Sequence, residues 1–213
     1  MKDYLNTLRT EAWRTASARY WAARRLRRRE FFSTVSLAMF SAISVGIAVV
    51  QRIYVPSGSA LENYLTALSG CLGILLLTVS LMEWGAGNGA KAEALHSNAE
   101  ELNSFHRKVR SYIARLDAGE VMTWQHVDAL RSEYESAKRL CRYNHEPIDD
   151  DRFRADHRCA SEFRKPDGTD LFNAGQAAWI SFRWYLNSIW YFALFWLLVA
   201  GSITGAFLVN RAA

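Results

Sequence analysis

Three stretches of this chain, residues 31–50, 63–82 and 184–210, contain no charged side chain, and each is at least twenty residues long. An α-helix rises 1.5 Å per residue, so about twenty apolar residues cross a hydrocarbon core roughly 30 Å thick, with every backbone group satisfied inside the helix. Core helices of water-soluble proteins keep a polar edge and run about 8 to 20 residues. The third stretch is longer and has no such edge. A cleaved signal peptide does not fit the first stretch, which starts only at Phe31 and outruns the ~7–15 residues of an h-region. Only twelve residues, 51–62, separate the first two stretches, the spacing of a helical hairpin. The chain therefore reads as an all-α integral membrane protein: a transmembrane helical hairpin continuous with a cytoplasmic helical bundle, plus a third, C-terminal transmembrane helix. Averaged over 213 residues, 50% of them hydrophobic and 22% charged, the composition would pass for one soluble domain, because nearly all the charge lies between the stretches.

The distribution of that charge sets the topology. Nine Lys or Arg precede the first stretch and fifteen lie in residues 83–183, whereas the 51–62 loop has only Arg52. By the positive-inside rule the N-terminus is cytoplasmic, the 51–62 loop is external and the tail after the third span is outside. The expected organisation is a cytoplasmic amphipathic helix over 1–30, spans over 31–50 and 63–82, the external loop, cytoplasmic helices over 83–143, a polar linker over 144–183 and a span over 184–210. Arg19, Arg24, Arg25, Arg27, Arg28 and Arg29 are expected at the membrane surface, where each gains about 1 kcal/mol from anionic lipid. The lipid bilayer is thus the partner they imply. A basic run can also neutralise phosphates, but direct nucleic-acid binding is not expected here.

Leu5, Leu8, Ala12, Ala16, Tyr20, Ala23 and Leu26 recur at helical spacing and run into the first span with no Pro or Gly, which predicts one continuous helix. Beyond the second span, Leu95, Ala99, Leu102, Phe105, Val109, Tyr112 and Leu116 form a second stripe. Val127, Leu130, Tyr134, Ala137 and Leu140 form a third, after Thr123 as N-cap. Three such stripes need one another, as a small bundle or an oligomer contact. Gly85, Gly87 and Gly89 mark a hinge between the second span and the second stripe, since each Gly costs a helix about 1 kcal/mol against Ala. Residues 144–175 read as a loop with one short helix around 153–163.

Small and hydroxyl residues gather on one side of each hairpin span: Ser33, Ser36, Ser41 and Ser44 on the first, Thr66, Ser69, Gly70, Gly73 and Ser80 on the second. Such faces either line water in an oligomer or let membrane helices pack closely. Gly201 and Gly205 form a GxxxG helix-contact pair in the third span, and Trp179, Trp184, Tyr185, Trp190 and Tyr191 suit an interfacial aromatic belt. Cys141, His145, His157 and Cys159 are ligand types that suit zinc, but their spacing matches no common zinc motif, and local hydrogen bonding by His145 and Asp149 explains that turn as well. No metal, cofactor or catalytic residue is expected, since no nucleophile elbow, P-loop or H-E-x-x-H motif is present.

Three stretches resemble the SLATT domain: "ARYWAARRLRRREFF" before the first span, "SLMEWGAGNGAKAEALHSNAEEL" after the second and "YNHEPIDDDRFRADH" after the third cytoplasmic helix. Within them His96, Asn144, His145 and Asp149 have no assigned role. The resemblance covers about residues 12–163 and implies a two-helix membrane effector of bacterial nucleotide-signalling defence systems, seated in the inner membrane. It further implies a pore-forming or membrane-disrupting homo-oligomer that harms the host cell during phage infection. Its trigger would be a cognate sensor such as a reverse transcriptase or a nucleotide-signalling enzyme. The third span departs from the two-helix pattern. A membrane-anchored scaffold that recruits a partner through its cytoplasmic bundle is the alternative.

Overall fold

A computed structural model of the protein describes residues 1–165 and 167–212, with side chains through 209. Its helices are α1 (Lys2–Tyr54), α2 (Ala60–Ala86), α3 (Asn88–Asp117), α4 (Trp124–Leu140), α5 (Pro147–Asp156) and α6 (Ala174–Ala212), with a 3-10 turn at Ser161–Phe163. No strand occurs among the described residues. α1 is unbroken over 53 residues, as the absence of proline and of any glycine before Gly46 requires. Three helical segments are long and apolar enough to cross a membrane: one in α1, one starting in α2 and one in α6.

Local chemistry sets the ends of the hairpin's second helix. Ser59 caps α2, its hydroxyl accepting from the Glu62 N–H at 3.1 Å. At the other end Gly87 adopts φ 57°, ψ 39°, and its N–H donates to the Glu83 carbonyl. That left-handed conformation carries a penalty for any residue with a Cβ, so Gly87 separates α2 from α3, while Gly85 and Gly89 sit inside helices.

The 144–183 stretch holds more structure than a polar linker. It contains α5, the 3-10 turn and the first ten residues of α6, whose start is fixed by reciprocal bonds between Asn173 and Gln176 at 2.8 and 3.0 Å. Two of its aromatic residues, Phe153 and Phe163, are buried and meet the Trp13 ring at centroid distances of 5.3 and 5.4 Å. Composition hid this because one aromatic ring buries as much surface as several small residues.

Two compact units emerge. The first comprises Met1–Arg27 and Gly89–Ser188. Its main core joins Leu5, Leu8, Ala12 and Ala16 of α1 to Leu102, Phe105, Val109 and Ile113 of α3 and to Val127, Leu130, Tyr134 and Ala137 of α4. All three stripes read from the sequence meet there. Leu140, assigned to the third stripe, is instead 70% exposed, because α4 ends at that residue.

The second unit comprises Arg28–Asn88 and Ile189–Ala213. Phe40, Leu72 and Val199, one from each long helix, form its centre. The Trp196 indole donates to Ser36 Oγ at 3.1 Å and the Tyr64 hydroxyl to the Ser202 carbonyl at 2.7 Å. A Cβ on Gly205 would stand 2.7 Å from Tyr64 Oη, so this glycine is where the α2 tyrosine crosses α6.

Candidate functional site

The densest polar constellation lies in the first unit, around Asp149. Pro147 opens α5 and places Asp149 at its third position, where one carboxylate oxygen accepts from the Glu146 N–H at 3.0 Å. The carboxylate, fully buried, also accepts from Arg25 Nε and Nη2 at 2.9 and 3.0 Å and from the Trp184 indole N–H at 3.0 Å. Four donors from three segments thus saturate a buried anion, which is the condition for burying it without prohibitive cost. Glu146 adds a second carboxylate 2.9 Å from Arg25. The Trp21 ring stands edge-on to Trp184 at 5.1 Å, and the Arg24 and Arg152 guanidinium groups lie over Trp21 at 5.0 and 4.6 Å.

Asp150, the next residue, takes a bidentate pair of bonds from Arg14 at 2.7 and 2.6 Å. Burial would raise its carboxyl, but the Arg14 bonds and the charges of Arg14 and Arg154 hold it below the usual aspartate value. Arg14 and Asp150 also border an open cleft of about 720 Å³ with Glu11, Tyr134, Lys138 and His145. Burial pushes the His145 imidazole below the ordinary histidine value, Arg19 and Arg14 reinforcing this against Asp150 and Asp149. His145 is therefore neutral near pH 7.

Arg19 is buried at 5% exposure and forms no salt bridge among the described residues. Its guanidinium bonds Asn98 Oδ1 and, at 3.3 Å, the Lys138 carbonyl, while Asn98 Nδ2 donates to the Ala137 carbonyl at 2.7 Å. The cation thus sits at the negative end of the α4 dipole, though burial still draws it below its ordinary value.

Of the arginines expected at the membrane surface, two are instead buried within the first unit. Arg19 and Arg25 are buried, Arg27 pairs with Glu93 at 2.7 Å and Arg29 with Glu83 at 3.5 Å. Arg24 is exposed and Arg28 half-buried. Trp184 likewise leaves the aromatic belt: it is fully buried on Asp149, whereas Trp179 and Trp190 are exposed. Of the other motif residues, His96 meets the Tyr20 ring at 5.2 Å and Glu100 at 3.5 Å. Asn144 Oδ1 accepts from the His145 N–H at 3.0 Å. Asn98 was legible as a polar interruption within the Leu95–Leu102 stripe. Trp184 carried no local signal, because its partner lies 35 positions away.

In the second unit, Ser33 and Ser36 are buried, Ser44 is half-buried, and Ser41 is exposed and bonded to its own helix. On α2, Thr66, Gly70, Gly73 and Ser80 are exposed and Ser69 is half-buried. Leu65, Leu72 and Val79 form the buried face of the same helix. Gly201 is exposed, while Gly205 meets Tyr64. All three cysteines are free, and among the described residues no three His, Cys, Asp or Glu side chains are grouped to hold a metal.

No curated protein and no solved structure matches the chain. A family profile does: it covers residues 1–204, well beyond the stretches that carry the resemblance, and it takes in most of α6, so the third long helix lies within the matched region. With an all-helical fold, three membrane-crossing segments and a match over nearly its whole length, the chain belongs to the SMODS and SLOG-associating 2TM effector domain family 5.

Proposed function

We propose that this protein is the membrane-acting component of a bacterial anti-phage system, an oligomer that breaches the inner membrane when a partner protein or signal engages its first unit. The observation that carries the reading is the division of labour on α2. Leu65, Leu72 and Val79 pack inside the second unit, while Gly70, Gly73 and Ser80 are left outward with nothing within 4 Å of a Cβ on either glycine. Small residues on an outward helix face favour association with another copy, and three apolar helices in one chain are too few to enclose water. The N-terminus is cytoplasmic and the C-terminus outside in this reading, and a topology reporter fused after Ala213 tests it. A reporter that behaves as cytoplasmic rejects it.

Nucleic acid is a poor fit as direct partner, since Arg19, Arg25, Arg27 and Arg29 are engaged within the chain. A cognate sensor protein, such as a reverse transcriptase or a nucleotide-signalling enzyme, is the partner we favour. Dye release from reconstituted vesicles is the deciding experiment. An effector empties them at protein levels where a scaffold leaves them intact, and Gly73→Leu lowers both the release and the oligomer size. Intact vesicles with wild-type protein and its trigger would turn the reading to the scaffold. The observation that favours a scaffold is the cleft between Glu11, Tyr134 and His145 in the first unit.

A further inference from the structure

Charged residues are sparse in the second unit, and the half-buried Glu83 carboxylate stands where α2 ends. The Glu83 side chain is 12% exposed. One of its oxygens accepts from the Tyr191 hydroxyl of α6 and faces Arg29 of α1 at 3.5 Å. The other accepts from Asn88 Nδ2 at 3.1 Å. Asn88 is the first residue of α3, so this bond bridges the break at Gly87. The Glu83 main-chain carbonyl, meanwhile, accepts from the Gly87 N–H. One residue therefore closes α2 through its backbone and, through its carboxylate, draws in donors from α1, α3 and α6. Arg29 also lies over the Tyr191 ring at 4.8 Å, so the donors support each other as well as the acceptor.

A carboxylate at the edge of a hydrocarbon region is costly unless its lone pairs are filled, and leaving it unmet favours water entry around it. Both Glu83 oxygens are occupied by protein donors, which leaves it poorly placed to hold a cation. Toward the other end of the same unit, the described residues of the long helices meet through neutral contacts such as Tyr64 with Ser202 and Gln51 with Thr66. The charged end holds only while three separate donors stay on one acceptor, and bonds to an ionised group are the strong ones.

We propose that Glu83 is a clasp: its carboxylate holds the end of α2 to the middle turns of α1 and α6 that pass the Gly87 break, and withdrawal of its donors is the step by which these segments part. The clasp names the regulation of the membrane breach and rests on the effector reading. The glycine hinge supplies the freedom to move, and Glu83 supplies the restraint.

The test separates the clasp from that reading. In full-length protein with Cys71, Cys141 and Cys159 replaced by serine, spin labels at Glu30 and Trp190, both exposed, report the distance between α1 and α6 beside Glu83 in lipid vesicles. Wild type is expected to show one narrow distance. Glu83→Gln, isosteric but uncharged and with one acceptor oxygen in place of two, is expected to lose that peak to a longer, broader one and to raise untriggered dye release about tenfold or more, as the loss of a charge-assisted hydrogen bond implies. Tyr191→Phe and Asn88→Ala, each removing one donor, are expected to do the same to a smaller degree, and they keep the test open if Glu83→Gln fails to fold. A longer distance without dye release supports the clasp and overturns the breaching function. Release with an unchanged distance overturns the clasp and leaves the function standing, and an unchanged distance in all three variants overturns the clasp outright.

Discussion

The two units solve the same problem, holding long helices in register, with opposite chemistry. The first buries charge on polar partners: Arg25 on Asp149, Asp150 under a half-exposed Arg14, and Arg19 on Asn98 and an α4 carbonyl. The second joins its helices through Phe40, Leu72 and Val199 and a handful of neutral hydrogen bonds, with the half-buried Glu83 as a charged contact among them. Apolar side chains expel water wherever they meet in an aqueous phase, so a bundle there collapses readily and needs polar groups to choose one arrangement among many. Lipid tails are as apolar as leucine, and helices among them associate through close packing and sparse hydrogen bonds instead.

If that contrast is right, the largest effect comes from breaking a buried charge pair in the first unit. Asp149→Ala strands Arg25 and the Trp184 indole, and should cost about 3–5 kcal/mol, with Glu146 as a substitute partner setting it toward the lower end. Thermal unfolding in detergent checks this, and a loss below ~1 kcal/mol would show that the hub does not set the stability of this unit.

The strongest disruption expected in the second unit is steric. Gly205→Val drives a branched side chain into Tyr64 Oη, already 2.7 Å from an ideal Cβ, and should cost about 1–3 kcal/mol. Adding Tyr64→Ala to it should recover part of the loss, and the absence of any recovery would place the fault elsewhere. By contrast, Tyr64→Phe removes only a hydrogen bond between membrane helices, for which about 0.6 kcal/mol is typical.

Acid should separate the units as well. The folded value of His145 is depressed, so the unfolded chain binds its proton first and stability falls as the pH drops through the ordinary histidine value of about 6.5. Asp150 is also depressed. Its contribution is present above the ordinary aspartate value and lost as the pH falls through the lower folded one. Spectroscopic probes in the first unit should therefore report loosening on mild acidification, and His145→Phe should remove the upper step alone. The smallest effect is expected at Arg27. Its pair with Glu93 is largely exposed, so Arg27→Gln should change stability by about 0–1 kcal/mol and fade with salt.

How far the sequence reached differs between the units for the same physical reason. The α1, α3 and α4 stripes and the unbroken course of α1 follow from periodicity and from the placement of Gly and Pro, all of which act within a few residues. The α5 segment was harder to see, since its fold depends on Phe153 and Phe163 finding Trp13 more than a hundred positions earlier. Ser33 and Ser36 were indistinguishable from Ser41 in the sequence, because only a neighbouring helix decides which side of a small-residue face is covered.

Twenty uncharged residues in a row leave the backbone one way to cross a hydrocarbon layer, and glycine at position 87 relieves the penalty of a left-handed turn there, so the membrane segments and the helix break were determined by the chain itself. Which arginines meet carboxylates was not. Seven arginines between positions 14 and 29 look alike in a linear reading, and their separation into buried partners of Asp149 and Asn98, a half-exposed partner of Asp150 and exposed cations such as Arg24 came only from tertiary structure. A guanidinium can be buried only where another segment, distant in the chain, supplies acceptors that replace its water.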